Sequence, residues 1–201
     1  MGLDMYLMKI KKSDILESET IRKLARDLYS KNDRNAILFE PFEKLGLTYT
    51  YKRWEFKEEP ETYLDKEVAY WRKANSIHNW IYNNCAKEGQ EDYEDIYVSK
   101  EKIEELINIC GLVLQDLKTC GKGYTKIHTG WSGGQDTYET IEVYESIVAK
   151  QLLPTQSGFF FGSTEYTEYY KEDLEDTIRQ LEQVLKETDF ENEELYYYAS
   201  Y

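Results

Sequence analysis

Two histidines, three cysteines and three prolines in 201 residues leave little material for the commonest site chemistries. His78 and His128 stand far apart, and Cys85, Cys110 and Cys120 show neither CxxC spacing nor an even number. A zinc site or a disulfide framework is therefore not expected, and reduced thiols filling the core are. No apolar run approaches the roughly 18 residues of a membrane span, and Met1–Leu7 lacks the basic and apolar regions of a secretory leader. These features predict a cytoplasmic protein. Positive charge is also scarce. Lys and Arg number 25 against 39 Asp and Glu, a net charge of −14. Residues 1–60 are nearly balanced at 12 against 11, so the deficit lies in residues 61–201, at 13 against 28. No basic stripe follows a phosphate backbone, so direct nucleic-acid binding is not expected.

Short glycine motifs fail on spacing. Gly130-Trp131-Ser132-Gly133-Gly134 is not the GxSxG of a nucleophile elbow, and no Walker lysine and serine follow Gly121-x-Gly123. Glu91-Asp92 and Glu94-Asp95 lack the spacing and glycine of an EF-hand loop. No catalytic residue, metal or cofactor is expected.

Tyrosine is what the chain has in excess: 19 residues, clustered at 49/51, 166/169/170 and 196/197/198/201. Large rings with a polar tip suit interfaces and ligand faces. Hydrophobic residues make up 41%, enough for a core. Leu3–Met8 reads as an opening strand and Leu47–Phe56 as the clearest strand, rich in Thr and aromatics. Ser18 caps a helix with Ile21, Leu24, Ala25 and Leu28 inward, and residues 33–46 and Glu58–Thr62 read as loops. Ser99 opens the most regular helix, with Ile103, Leu106, Ile107, Cys110, Val113, Leu114 and Leu117 on one stripe. Residues 121–137 read as loop and 137–152 as helix, although Thr140–Tyr144 fits a strand equally. Residues 166–187 form the last helix. The expectation is a single helix-dominated α+β domain over 1–187, with a small antiparallel sheet containing residues 3–8 and 47–56. An acidic, tyrosine-rich tail over 188–201 would follow it, either disordered or docked on the fold or on another subunit, which allows a homo-oligomer.

Two segments look like site-building material. The first, Glu67 through Trp80, reads as part of a helix that ends before Gly89 and whose apolar face, Trp71, Ala74, Asn75, His78, Ile81, Tyr82 and Cys85, includes an amide and an imidazole. Arg72 and Asn79 flank that face. The second is Leu153–Tyr166. Thr155, Gln156 and Ser157 precede the glycine-bracketed Phe159-Phe160-Phe161, a short buried strand or wedge, and Ser163 and Thr164 are placed to cap the helix that begins at Tyr166. Polar groups beside aromatic walls are what a small-molecule pocket requires. The predicted ligand set is Trp71, Arg72, Asn75, His78, Asn79, Thr155, Gln156, Ser157, Phe159, Phe161, Ser163, Thr164 and Tyr166. The same residues can instead pack as core, with His78 bonded to Gln156 or a backbone carbonyl.

MGLDMYL at the N-terminus, AYWRKANxIHxW over 69–80 and LLPTQSGFFFGSTEY over 152–166 resemble a family of small phage and prophage proteins with no assigned activity. The resemblance implies a phage context and the cytoplasm of a host cell. With the residue reading, it leads to a non-enzymatic protein that captures a small polar, nucleotide-like ligand to counter a host defence signal. Two other classes fit the sequence. One is an acidic, nucleic-acid-mimicking inhibitor that covers a basic groove on a host defence protein. The other is a hydrolase or transferase with His78 as base.

Overall fold

A computed structural model describes residues 2–14, 47–50, 53–56, 65–90 and 95–201. Its centre is a four-stranded antiparallel sheet in the order β4-β1-β8-β5, with β1 at Asp4–Lys11, β4 at Asp65–Arg72, β5 at Ile96–Tyr97 and β8 at Glu193–Ser200. The two strands nearest the chain ends are therefore neighbours in the middle of the sheet. Residues 188–201 are not a loose tail. They contain β8, which pairs with β1 from Asp4↔Ser200 to Lys11↔Glu193 and with β5 at Ile96↔Tyr197. Alternation explains this outcome. Leu195, Tyr197 and Ala199 are buried while Tyr198 and Ser200 face outward, the period-2 pattern of a half-buried strand.

Helices α1 (Asn75–Cys85), α2 (Lys100–Leu117), α3 (Ile147–Leu152) and α4 (Glu168–Glu187) supply the other layer. The core lies between it and the inner sheet face: Met5, Leu7, Ala69, Trp71, Ile96, Leu195 and Tyr197 meet Ile77, Ile81, Leu106, Cys110, Leu174 and Leu181. Helix α2 follows its sequence pattern closely. Ser99 accepts a capping bond from Lys102 N, and Ile103, Leu106, Cys110, Val113 and Leu117 are buried. All three thiols are free. Burial pushes Cys110 up to about 12 and Cys85 up to about 11, so both remain protonated core groups.

Several expectations need correction. The segment from Glu67 is not helical until Asn75. Residues 65–72 are strand β4, paired with β1 from Asp4↔Arg72 to Ile10↔Asp65, and Lys73 turns the chain with a left-handed φ of 63°. Val68-Ala69-Tyr70-Trp71-Arg72 satisfies a period of two as well as 3.6, and the open edge of β1 decides the matter. Leu47–Phe56 is not one strand of the main sheet but a separate hairpin of β2 (Leu47–Thr50) and β3 (Arg53–Phe56). The region read as loop and then helix over 121–152 is a long hairpin, β6 (Lys122–Ser132) with β7 (Gln135–Tyr144), and only Ile147–Leu152 is helical. Gly133 and Gly134, at φ 62° and 84°, make the tight turn that joins them. Cross-strand Thr, Ile and Val then stabilise the ladder. Gly158–Gly162 forms no strand. The expected helix at Ser18, the loops at 33–46 and 58–62, and Glu91–Glu94 lie outside the described residues. Among the described residues, no helix is long and apolar enough to cross a membrane.

His78 belongs to this core. It is 2% exposed, and its Nδ1 shares a hydrogen bond of 2.7 Å with the hydroxyl of Tyr197, itself fully buried. Phe161 meets the imidazole edge-on at 5.3 Å between centroids, and Tyr82 stacks on it at 6.4 Å. Burial raises the Tyr197 phenol far above its ordinary value, which keeps it neutral. Tyr197→Phe removes one partner and leaves the other buried polar atom unsatisfied, so it should cost about 1–3 kcal/mol in urea denaturation. An unchanged midpoint would mean the pair contributes nothing to stability.

Candidate functional site

The second motif segment is fastened to the first by one amide. Asn75, the first residue of α1, is 4% exposed. Its Nδ2 donates to the carbonyls of Phe161 at 3.0 Å and Ser163 at 2.9 Å, and its Oδ1 accepts from the backbone N–H of Gln156 at 3.1 Å. An amide can complete such a set because it carries two donors and an acceptor on one planar group. Further bonds support it. Asn79 Nδ2 donates to Pro154 O at 3.1 Å, the Tyr170 hydroxyl donates to Leu153 O at 3.0 Å, and Thr155 Oγ1 donates to Thr164 O at 2.9 Å. The N-terminal segment joins through Leu3 N to Phe160 O and Lys73 N to Leu3 O.

Between the β4–α1 corner and the start of α4 lies a cleft of about 330 Å³. Arg72, Lys73, Asn75 and Ser76 form one wall, Thr155, Gly162, Ser163 and Glu165 the second, and Thr167, Tyr169, Tyr170 and Asp173 the third. Close approach shapes it. A Cβ on Gly162, whose φ is +86°, would lie 3.3 Å from Lys73 Cβ, so the lysine stem lies against a glycine that a side chain would displace. Arg72 is more than half exposed, with its Nε 3.8 Å from Asp4 Oδ1. Asp173 is the opposite pole. Burial, then the neighbouring charges of Asp176 and Glu172, push its carboxyl up to about 7. Cationic and carboxyl groups thus line the same small cleft.

Of the predicted ligand residues, Arg72, Asn75, Thr155 and Ser163 line the cleft. The rest lie elsewhere. Trp71 is core, its Nε1 donating to Thr177 Oγ1 at 3.0 Å. His78 is buried beside Tyr197 and is not among the residues that line this cleft. Asn79 is spent on Pro154. Phe161 is buried against His78 and Tyr201, and Gly158 leaves room for its ring, which a Cβ there would meet at 2.6 Å. Phe159 is 95% exposed, so the triple phenylalanine forms no wall. Gln156 lies outside the lining, with its Oε1 buried and without a hydrogen-bond partner among the described residues. Ser157 is exposed. Thr164 contributes only a carbonyl, and Tyr166 packs edge-on to Tyr170 with its hydroxyl 3.4 Å from Thr155 N. Neither Ser163 nor Thr164 caps α4. Thr167 holds that position, while Ser163 Oγ accepts from Glu165 N.

Sequence reasoning missed the other lining residues, among them Lys73, Ser76, Glu165, Tyr169 and Asp173. A charged residue at a left-handed turn leaves no periodic signal. Asp173 looks like one more solvated acid on a helix rich in them. Its neighbours Tyr170, Leu174 and Thr177 on the buried stripe were the available hint.

Asp173 gives a pH signature with a definite sign. Its folded value, about 7, lies above the ordinary 3.8, so its stabilising contribution is complete below pH 4 and is lost as pH rises through 7. Relative to wild type, Asp173→Asn should gain stability progressively from pH 4 to 7 and stay level above, by roughly 1–4 kcal/mol in all. Paired denaturation curves across that range read it, and a constant difference would refute the shift. Asn75→Ala should cost about 2–4 kcal/mol, because it orphans three backbone groups. Proteolysis within 154–163 should accelerate with it, and a cleavage rate like that of wild type would show that the amide does not hold the segment.

No known protein family, curated protein or solved structure matches this chain.

Proposed function

We propose that this protein captures a small polar, nucleotide-like ligand without transforming it, using the cleft at the β4–α1 corner. The observation that carries the reading is the polarity across that cleft. Arg72 and Lys73 offer charge to a phosphate or carboxylate, Ser76, Thr155 and Ser163 offer hydroxyls, and Glu165 and Asp173 can accept from an amino group. Tyr169, 79% exposed on the rim, gives a base a ring to stack on. The volume falls at the lower end of the range for small-molecule sites. The resemblance to phage proteins supplies the biological side of the proposal, that the captured molecule is a host defence signal in the host cytoplasm. Sequestration of that kind works by affinity and abundance rather than turnover.

Thermal-shift and calorimetric titration against a nucleotide library test this. A mononucleotide or short cyclic oligonucleotide is expected to raise the melting temperature of the wild type and to be recovered unchanged. Arg72→Ala should weaken binding about tenfold or more, the scale of a charge-assisted contact, while costing under about 1 kcal/mol of stability because the side chain is largely solvated. Tyr169→Ala should weaken it by about 1–3 kcal/mol if a base stacks there. Full affinity in Arg72→Ala, or no stabilisation by any anionic metabolite, would exclude the cleft as the binding site.

A further inference from the structure

We propose a second binding surface, on the opposite side of the sheet from the helices, that docks an arginine-rich segment of another protein. Cross-strand register sets Tyr70, Tyr6 and Tyr198 side by side across β4, β1 and β8. Ring centroids are 5.3 Å apart for Tyr6 and Tyr70 and 6.2 Å for Tyr6 and Tyr198, the latter pair stacked at 28°. Tyr70 and Tyr198 are each 38% exposed, and Tyr97 on the far edge strand is 44% exposed. The inner face of these strands is buried, so the sheet has one oily side and one side paved with phenol rings.

Charge selects the occupant. Asp4 and Glu67 lie close enough to Tyr6 to raise its phenol after burial does, and Glu194 and Glu101 do the same to Tyr97. Asp4 accepts from the Tyr70 hydroxyl at 2.5 Å, which helps push that phenol up to about 12. Arg72 opposes this at Tyr70, but carboxylates outnumber it around the rings, and each of these phenols is raised. Guanidinium groups stack on aromatic faces and pair with carboxylates, and this surface interleaves the two. Single-stranded nucleic acid also uses aromatic platforms, but it requires a positive groove for its phosphates, and the field here has the wrong sign.

The test uses the full-length protein and a fluorescein-labelled peptide of alternating arginine and serine, followed by anisotropy. The peptide is expected to bind, more weakly as salt rises. Tyr70→Ser with Tyr198→Ser should weaken binding about tenfold, the effect of losing aromatic anchors, as should Glu67→Gln with Glu194→Gln. Removing two carboxylates from the exposed side of α2, by Glu104→Gln with Glu105→Gln, should change it less than about twofold. Tyr70→Phe with Tyr198→Phe keeps the rings and should keep the affinity, which separates loss of the surface from loss of the fold. An equal loss in the α2 variant would reduce the effect to net charge and overturn the proposal. So would tighter binding of oligouridylate than of the peptide, or no binding of the peptide at all. The glutamate variants leave the Arg72–Asp4 pair and the cleft lining intact, so their nucleotide titration reports on the other reading independently.

Discussion

The carboxamide of Asn75 fixes how the rest of the candidate site is arranged. It stands at the first turn of α1, where helix N–H groups have no internal partner, yet it turns away from the helix and bonds three backbone groups of the Gln156–Ser163 segment. A segment without regular structure makes few backbone bonds of its own, and here one buried side chain takes three of its N–H and C=O groups. Phe161 is thereby held against His78, Gly162 against Lys73, and the hydroxyls of Thr155 and Ser163 at the cleft wall. One wall of the cleft is thus attached to the helix that forms another.

Polar groups inside the molecule divide into two kinds. His78 and Tyr197 satisfy each other between sheet and helix, and Trp71 and Thr177 do the same between β4 and α4. These bonds set the register of layers that apolar packing alone would leave free to slide. Asp173 is different, because burial is opposed by no ion pair among the described residues and its carboxyl titrates near neutrality. Its cost in stability is offset elsewhere in the fold. Residues kept under such tension gather at sites that bind.

The sheet has a similar division. Its inner face joins strands from both ends of the chain, which ties the N-terminal segment to the last residues through β1 and β8. The outer face leaves its rings partly exposed. Among the described residues the helices cover one side, and the alternation that buries Leu195, Tyr197 and Ala199 presents Tyr198 on the other.

Much of the framework was legible in the sequence: the α+β class, helices α2 and α4, the opening strand and the pairing of the two motif segments. These depend on short-range signals, namely apolar stripes, a serine cap and the spacing of aromatic residues, which act before any tertiary contact forms. Other features needed a partner strand. Residues 65–72 fit helix or strand, and only the edge of β1 selects strand. Residues 193–200 read as an acidic tail because the charge of Glu193 and Glu194 masked an alternation that has meaning only beside β1. The site divides in the same way. The sequence singled out two segments, with Arg72 and Asn75 in one and Thr155 and Ser163 in the other, because a buried amide must find a partner, but it did not separate these four from the nine other residues it grouped with them. Only the tertiary structure decided that His78 turns inward to Tyr197, that Phe159 stands in water, and that Lys73, Tyr169 and Asp173 are among the other residues that line the cleft. Burial of a particular atom is a property of everything packed around it, and no local pattern encodes that.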